Sequence, residues 1–292
     1  MTPRILRLLV AWIVLLSPAA VAGQDRSGSY DSNGVPIHYV DKGHGAPVVL
    51  IHGFTGSAAR HWQAPGVIAA LETAGYRAIA MDCRGHGESG KPHDPALYGL
   101  EMAGDVIRLL DHLKIDRAHV VGYSMGGAIA NQLLIKHSQR LITVTLLGAG
   151  WEGEDLKVLA SQFSALADGF EKRDASWLIG AVSSSGQKGP SAEEVAAANA
   201  SLFARNDGDA LAAAARGLIP LYRVSADSLR GVSLPVLAIV GEQDALNLEG
   251  VRRMAAVVRG MEVVRIPGAT HASSVRPSAE PLVTFLNKHR RD

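Results

Sequence analysis

Ser124 sits in the run Val120-Val121-Gly122-Tyr123-Ser124-Met125-Gly126-Gly127-Ala128, with a glycine two positions to either side. A serine hydroxyl is a weak nucleophile near neutral pH; it needs a general base, and the base needs a carboxylate to orient it. The chain supplies both downstream. Val236 to Val240 runs into Gly241-Glu242-Gln243-Asp244, and Val263 to Ile266 runs into Pro267-Gly268-Ala269-Thr270-His271. Taken singly, Asp244 is as readily a turn or helix-cap residue, and His271 a surface loop histidine. Taken together, each beyond its own apolar run, they are the partners an activated serine requires. Glu242 is a rival carboxylate, but it lies nearer the strand, which favours a role in supporting the loop, and Asp244 is preferred.

A serine between a buried strand and a helix can be held on a turn so sharp that only very small neighbours fit beside it, which gives Gly122 and Gly126 a steric task. The start of the following helix directs backbone N–H groups and a partial positive charge at the hydroxyl. Attack on a carbonyl also demands two donors for the developing oxyanion. The backbone N–H of Met125 is one candidate. Phe54 is the other, in the turn His52-Gly53-Phe54-Thr55-Gly56-Ser57 that follows Val48 to Ile51. His52 is assigned a structural hydrogen-bonding role.

These residues need a frame. Short apolar runs recur at Val48–Ile51, Ala78–Met81, Ala118–Val121, Leu141–Leu147, Val236–Val240 and Val263–Ile266, each bounded by Gly, Pro or Asp. Runs of this kind suit strands buried on both faces of a parallel sheet. Helix-period segments at Met102–Leu113, Ala128–Lys136 and Val251–Val258 lie between them, so the fold class is α/β, a mostly parallel sheet with helices on both faces. Ser29 to Tyr39, with Asn33-Gly34 at its centre, predicts an antiparallel hairpin. From about 151 to 231 the alternation stops, and an alanine-rich helical insertion is expected there. Its internal signals are a flexible connector from Ser183 to Pro190 and a capping box at Ser191 and Glu194.

The segments H-G-F-T-G-S (52–57), D-C-R-G-H-G-E-S (82–89), G-Y-S-M-G-G (122–127), G-E-Q-D (241–244) and G-A-T-H (268–271) together resemble the α/β-hydrolase superfamily over nearly all of the chain beyond its first 22 residues. The order Ser124, Asp244, His271 is that family's order. The resemblance implies Ser124 as nucleophile, His271 as base, Asp244 as its orienting acid, and the Phe54 and Met125 amides as oxyanion hole. It also implies a core of residues 23–150 and 232–292 with 151–231 as a helical cap over the site, and loop-bracing roles for Asp82, Arg84 and His86. Serine at 124 disfavours the haloalkane dehalogenase and epoxide hydrolase branches, which use aspartate. H-G-F-T in place of H-G-G-G moves the chain away from the lipases and esterases marked by that motif. Small-substrate esterases, lactonases, C–C bond hydrolases and cofactor-free haloperoxidase-like members remain nearer.

Composition narrows partners and place. The 292 residues suit one large domain, or a core with an insertion, and 47% of them are hydrophobic, ample for a core. Basic and acidic residues number 29 and 28, for a net +1, and no basic stripe points to nucleic acid or an anionic membrane. Arg4 and Arg7, the uncharged run Leu8–Leu16 and the Ala20-Val21-Ala22 ending read as a secretory leader, residues 1–22, cleaved before Gly23. That run is shorter than the ~20 apolar residues of a membrane span, so a secreted or periplasmic protein without a stable span is expected. Cys83 is the only cysteine, so no internal disulfide exists, and its place at the end of a strand predicts a buried, inert thiol. No zinc-ligand spacing appears among the eleven histidines, and no cofactor or metal is expected. The expectation is an exported serine hydrolase of small-molecule carboxylic esters or lactones. Hydrolysis of a C–C bond in a β-diketone-like substrate and a non-catalytic ligand-binding protein on the same fold are the alternatives.

Overall fold

The computed structural model describes residues 26–183 and 189–290; the expected leader and most of the expected Ser183–Pro190 connector lie outside the described residues. The chain enters through a hairpin, β1 (Gly28–Ser32) and β2 (Val35–Gly43), whose two-residue turn places Asn33 at φ 54° and Gly34 at φ 81°. Both central residues at positive φ give the turn whose twist matches a hairpin, and Asn-Gly is the dipeptide that tolerates it. Then follow β3 (Ala46–Ile51), α1 (Val67–Thr73), β4 (Tyr76–Met81), α2 (Leu100–His112), β5 (Ala118–Tyr123), α3 (Met125–Lys136) and β6 (Leu141–Leu147).

Six helices come next: α4 (Lys157–Glu171), α5 (Ser176–Ser183), α6 (Ala192–Phe203), α7 (Gly208–Gly217), α8 (Ile219–Tyr222) and α9 (Ala226–Arg230). The chain then closes with β7 (Val236–Gly241), α10 (Leu248–Val257), β8 (Glu262–Ile266) and α11 (Ala279–Lys288).

One eight-stranded sheet results, in the order β1-β2-β4-β3-β5-β6-β7-β8. The β1/β2 and β2/β4 pairs are antiparallel; every later pair is parallel, as crossover helices require. Alternate residues of the strands feed two cores. Val49, Ile51, Val120 and Leu146 pack with Met102 and Val106 of α2 and Ile129 and Leu133 of α3. Val48, Leu50, Val121 and Ile239 pack on the opposite face with Val67 and Leu71 of α1 and Leu282 and Phe285 of α11. Strands β5, β6 and β7 are buried along their whole length, as their unbroken apolar runs predict.

Two expectations are corrected. β8 is not buried on both faces: it is the edge strand, it alternates half-buried and exposed residues, and Val263 is 40% exposed. An edge strand has a neighbour on one side only, so helices cover it incompletely. α3 begins at Met125, not Ala128, because Gly126 and Gly127, poor helix formers, continue its first turn for reasons of close approach given below. The helical stretch between β6 and β7 contains no strand among its described residues. It carries its own core of Leu166, Ala167, Phe170, Leu202, Leu211 and Ala215. The capping box is present: the Glu194 N–H donates to Ser191 Oγ at 3.2 Å, and the Ser191 N–H to Glu194 Oε2 at 2.7 Å.

Candidate active site

The turn from β5 to α3 is one residue long. Ser124 carries it alone, at φ 54° and ψ −114°, a conformation that strains a non-glycine residue by about 1–3 kcal/mol. The strain is held by packing around the turn. A Cβ on Gly122 would stand 2.1 Å from the Gly126 carbonyl oxygen, one on Gly126 2.1 Å from the Ile51 carbonyl oxygen, and one on Gly127 2.3 Å from Ala149 Cβ. The elbow is therefore pressed against the ends of β3 and β6, and the Ser124 N–H donates to Leu147 O at 2.9 Å.

The loops after β7 and β8 converge beside it. Asp244 is 1% exposed and His271 5% exposed, and His271 Nδ1 lies 2.8 Å from Asp244 Oδ2. With Nδ1 committed to the carboxylate, Nε2 is the ring nitrogen available to the cavity that His271 and Ser124 both line. The Tyr123 ring stacks on the His271 ring, with centroids 5.0 Å apart, and the Tyr123 hydroxyl donates to His271 O at 3.1 Å. Gly148, at φ 53°, leaves room for the imidazole; a Cβ there would sit 2.9 Å from His271 Nδ1. Glu242 points elsewhere: it is exposed, and Oε2 accepts the Gly268 N–H at 3.3 Å, supporting the loop before His271.

Asn247 joins this group and was missed in the sequence. Its Nδ2 donates to Asp244 Oδ1 at 3.0 Å and Oδ2 at 3.2 Å, and lies 3.1 Å from His271 Nδ1. A flipped amide would set Oδ1 against the carboxylate, so the donor assignment is the one electrostatics allows. The only signal was an asparagine three residues after Asp244. That position caps α10, and an asparagine there ordinarily accepts helix N–H groups; here it makes no such cap bond.

On the other side of Ser124, the loop after β3 is rigidly set. Cys83 N–H donates to His52 Nε2 at 2.9 Å, so His52 carries its proton on Nδ1 and donates it to Gly53 O at 2.8 Å. Burial lowers the His52 pKa, in keeping with a neutral ring. The Gly53 N–H donates to His61 Nδ1 at 3.2 Å, and burial holds His61 well below its ordinary value. Thr55 is at φ 59°, unusual for a β-branched residue, in a turn closed by the Gly56 N–H to Gly53 O at 3.1 Å. Among the described residues the Phe54 and Met125 N–H groups have no backbone acceptor, Met125 because it opens α3. The Phe54 ring reaches upward to Phe170 of α4, centroids 5.5 Å apart, and sideways to His86 at 5.3 Å.

Asp82, Arg84 and His86 stand behind this loop and outside the cavity lining. Asp82 accepts N–H groups from Ala58 at 2.7 Å and Glu88 at 3.0 Å, while Arg84 forks onto buried Asp105 at 2.8 and 2.6 Å. His86 Nδ1 donates to Arg84 O at 3.0 Å, and burial pushes its pKa down to about 3. Cys83 is buried and its thiol is pushed up by burial, away from the reactive thiolate form.

A cavity of about 570 Å³ opens onto Ser124, Met125, Phe54 and His271. Its other walls include α4 and α5, with Leu159, Phe163 and Trp177 among them, and on the other side Leu246 and Asn247. The helical stretch thus covers the edge of the sheet from which Ser124, Asp244 and His271 project, the edge where α/β sheets place ligands.

The family described as alpha/beta hydrolase fold matches residues 46–275. The chain belongs to this family. As an α/β hydrolase it is similar over part of its length to several known proteins. It is 40% identical over 139 residues to the dihydrolipoyllysine-residue acetyltransferase component of the acetoin cleaving system of Cupriavidus necator, covering 45% of this chain and 35% of that protein. An epoxide hydrolase of Caballeronia sordidicola is 42% identical over 100 residues, 34% of this chain and 30% of that one. A putative carbamate hydrolase of Variovorax paradoxus is 39% identical over 117 residues, 39% and 43% respectively. The chain spans less than half the length of each of these relatives. Among solved structures, an N-acyl homoserine lactone degrading enzyme superposes with a TM-score of 0.68 at 27% identity, covering 90% of this chain and all of that one. A bromoperoxidase of Bacillus anthracis shares the fold, with a TM-score of 0.73 at 23% identity over 89% of this chain and 99% of its own.

Proposed function

We propose that this α/β hydrolase cleaves carboxylic esters or lactones through an acyl-enzyme on Ser124. The observation that carries the reading is a strained, positive-φ serine at the floor of a cavity shared with a histidine whose far nitrogen is bound to a buried carboxylate. In this mechanism Ser124 Oγ attacks the carbonyl carbon and His271 Nε2 takes its proton. Asp244 holds the ring in the tautomer with the proton on Nδ1 and stabilises the imidazolium that forms. The oxyanion receives the Phe54 and Met125 N–H groups, donors already set by the β3 loop and the α3 terminus. Collapse expels the alcohol, which takes the proton from His271; in a lactone the alcohol stays tethered to the acyl group. Water, deprotonated by the same imidazole, then attacks the acyl carbon and frees Ser124.

Serine at 124 favours acyl transfer over the epoxide opening named for one relative, and the lactone-degrading structural neighbour supports including lactones among the substrates. The leader read at residues 1–22 supports an activity outside the cytoplasm. The test is turnover of p-nitrophenyl butyrate by wild type and Ser124→Ala: measurable hydrolysis by the former and background hydrolysis by a folded Ser124→Ala protein are expected. Equal rates for the two would discard the mechanism.

A further inference from the structure

Gly53 lies against the elbow, and its carbonyl belongs to the peptide that carries the Phe54 N–H. A Cβ added to Gly53 would come within 3.0 Å of Tyr123 Cδ1 and 3.1 Å of Ser124 Cβ. Both polar backbone groups of this glycine are held. Its carbonyl oxygen accepts His52 Nδ1–H at 2.8 Å and the Gly56 N–H at 3.1 Å, and its N–H donates to His61 Nδ1 at 3.2 Å. In a planar trans peptide the N–H points opposite to the carbonyl, so the bonds at Gly53 O turn the Phe54 N–H away from His52 and Gly56. The bond at the Gly53 N–H fixes the other end of the same residue, and only His61 supplies it.

His61 is itself fixed. It belongs to a single π-helical turn, Ala59–Gln63, closed by the Ala64 N–H to Ala59 O at 2.8 Å and anchored by fully buried Trp62. Its ring packs edge-on against Tyr123, with centroids 4.9 Å apart and planes at 89°, and the Tyr123 ring is the one that stacks on His271. A Cβ on Gly56 would come within 2.3 Å of His61 Nδ1, so the ring has no slack against the turn it serves. His61 can accept the Gly53 N–H only with Nδ1 bare and the proton on Nε2; a proton on Nδ1 would set donor against donor. Burial, and after it the charges of His52, Arg60, His271 and His86, holds its pKa well below the ordinary value and keeps the ring neutral. His61 does not line the cavity, so it acts on a substrate only through its neighbours.

We propose that His61 is a positioning residue for the reaction: braced on Tyr123, it holds Gly53 through the Nδ1 lone pair and so aims the Phe54 N–H at the oxyanion. The role rests on the acyl-enzyme reading of Ser124. A side chain of equal bulk without an acceptor would fill the same space and leave the Gly53 N–H unpaired, so the lone pair and not the volume is the working part.

His61→Leu and His61→Asn separate the two, since the Asn Oδ1 can take the place of Nδ1 as acceptor. For p-nitrophenyl butyrate, His61→Leu is expected to lower kcat about 10- to 100-fold with KM within about 3-fold, less than outright loss of an oxyanion donor. His61→Asn should return kcat to within about 5-fold of wild type. Inhibition by 1,1,1-trifluoropentan-2-one reads the oxyanion directly: Ser124 Oγ bonds its carbonyl carbon, the hydroxyl proton passes to His271, and the carbonyl oxygen becomes the anion. Its affinity should fall in step with kcat/KM across the variants. Nitrogen-15 NMR of histidine-labelled wild type, with the His61 signals assigned by their loss in His61→Asn, should show Nδ1 bare and Nε2 protonated at pH 7.5, a result independent of turnover and of whether His61→Leu folds. Nδ1 protonated in the resting protein, a change in KM alone, His61→Leu as active as wild type, or His61→Asn no better than His61→Leu would overturn the role. Full turnover by Ser124→Ala would remove the acyl-enzyme reading and this role with it, whereas a dead Ser124→Ala beside an unimpaired His61→Leu removes the role alone.

Discussion

The two halves of the cavity are built on different principles. The lower half belongs to the sheet: Ser124, Asp244 and His271 each end a short turn beyond a parallel strand, and each is fixed by contacts below 3.3 Å or by glycines that leave no slack. The upper half belongs to α4 and α5, which present large apolar side chains, some open to solvent: Trp177 is 53% exposed and Val158 72%. Chemistry demands sub-ångström placement of few atoms, whereas selection among acyl groups demands volume and apolar area. Substitutions below should therefore act on rate or on folding, and substitutions above on substrate preference.

The largest expected effect is in the floor. Ser124→Ala should lower kcat for p-nitrophenyl esters by on the order of 10⁶-fold, with binding of ester-like inhibitors retained. Next comes the elbow's own support. Gly126→Ala places a Cβ against the Ile51 carbonyl oxygen, so the turn must open or β3 must move. A misplacement of about 1 Å at such a site costs roughly 10²-fold in kcat/KM, and thermal unfolding should shift down with it. An unshifted melting transition with full activity would show that the elbow has more slack than its packing indicates.

The buried histidines behind the loop after β3 predict a pH effect on stability. His86 has a folded pKa of about 3 against about 6.5 in an unfolded chain, so below pH 6.5 the unfolded state binds the proton first. Stability is intact above about pH 6.5 and falls by up to about 1.4 kcal/mol per pH unit from this residue as pH drops toward its folded value. His52 and His61, also lowered by burial, add to the slope. Urea unfolding at pH 7.5, 6 and 5 should show the decline, and His86→Asn, which keeps a donor for Arg84 O, should flatten it. An unchanged slope in His86→Asn would mean that the ring is protonated without cost.

Much of the lower half was legible because parallel strands announce themselves as short apolar runs and their carboxyl ends as the polar residues that follow. Asp244 was separable from Glu242 on position alone, and the two do part: one bonds His271, the other the Gly268 N–H. What was not legible depends on three-dimensional neighbours. The first turn of α3 was hidden because its glycines, unfavourable for a helix, answer to Ile51 and Ala149 far away in sequence. The exposure of β8 follows from its place at the sheet edge, which no local pattern of Val263 to Ile266 reveals. Asn247 was hidden by ambiguity, since an asparagine before a helix reads first as a cap. For the upper half the sequence showed helices and apolar content but not which side chains face the cavity.

Smaller effects probe the boundary between the halves. Asn247→Ala removes a donor shared between both Asp244 oxygens and should lower kcat/KM about 10-fold while leaving chain-length preference untouched, since it acts through the carboxylate. A KM effect alone would move Asn247 from positioning to binding. Smallest of all, Phe163→Ala in the wall should change the ratio of kcat/KM for long over short p-nitrophenyl esters by about 10-fold or more, the value of a few methylenes in an apolar pocket, with kcat on the short ester held. If instead it lowered kcat on every ester equally, the division between a catalytic floor and a selective wall would be wrong.

The strained Ser124 is the proposed nucleophile. Mass spectrometry of the intact and digested protein after reaction with a fluorophosphonate reads it directly. A single adduct on the peptide carrying Ser124 is expected, with none on Ser124→Ala and with loss of ester turnover in proportion to labelling. Full labelling at another serine, or turnover that survives complete modification of Ser124, would contradict it.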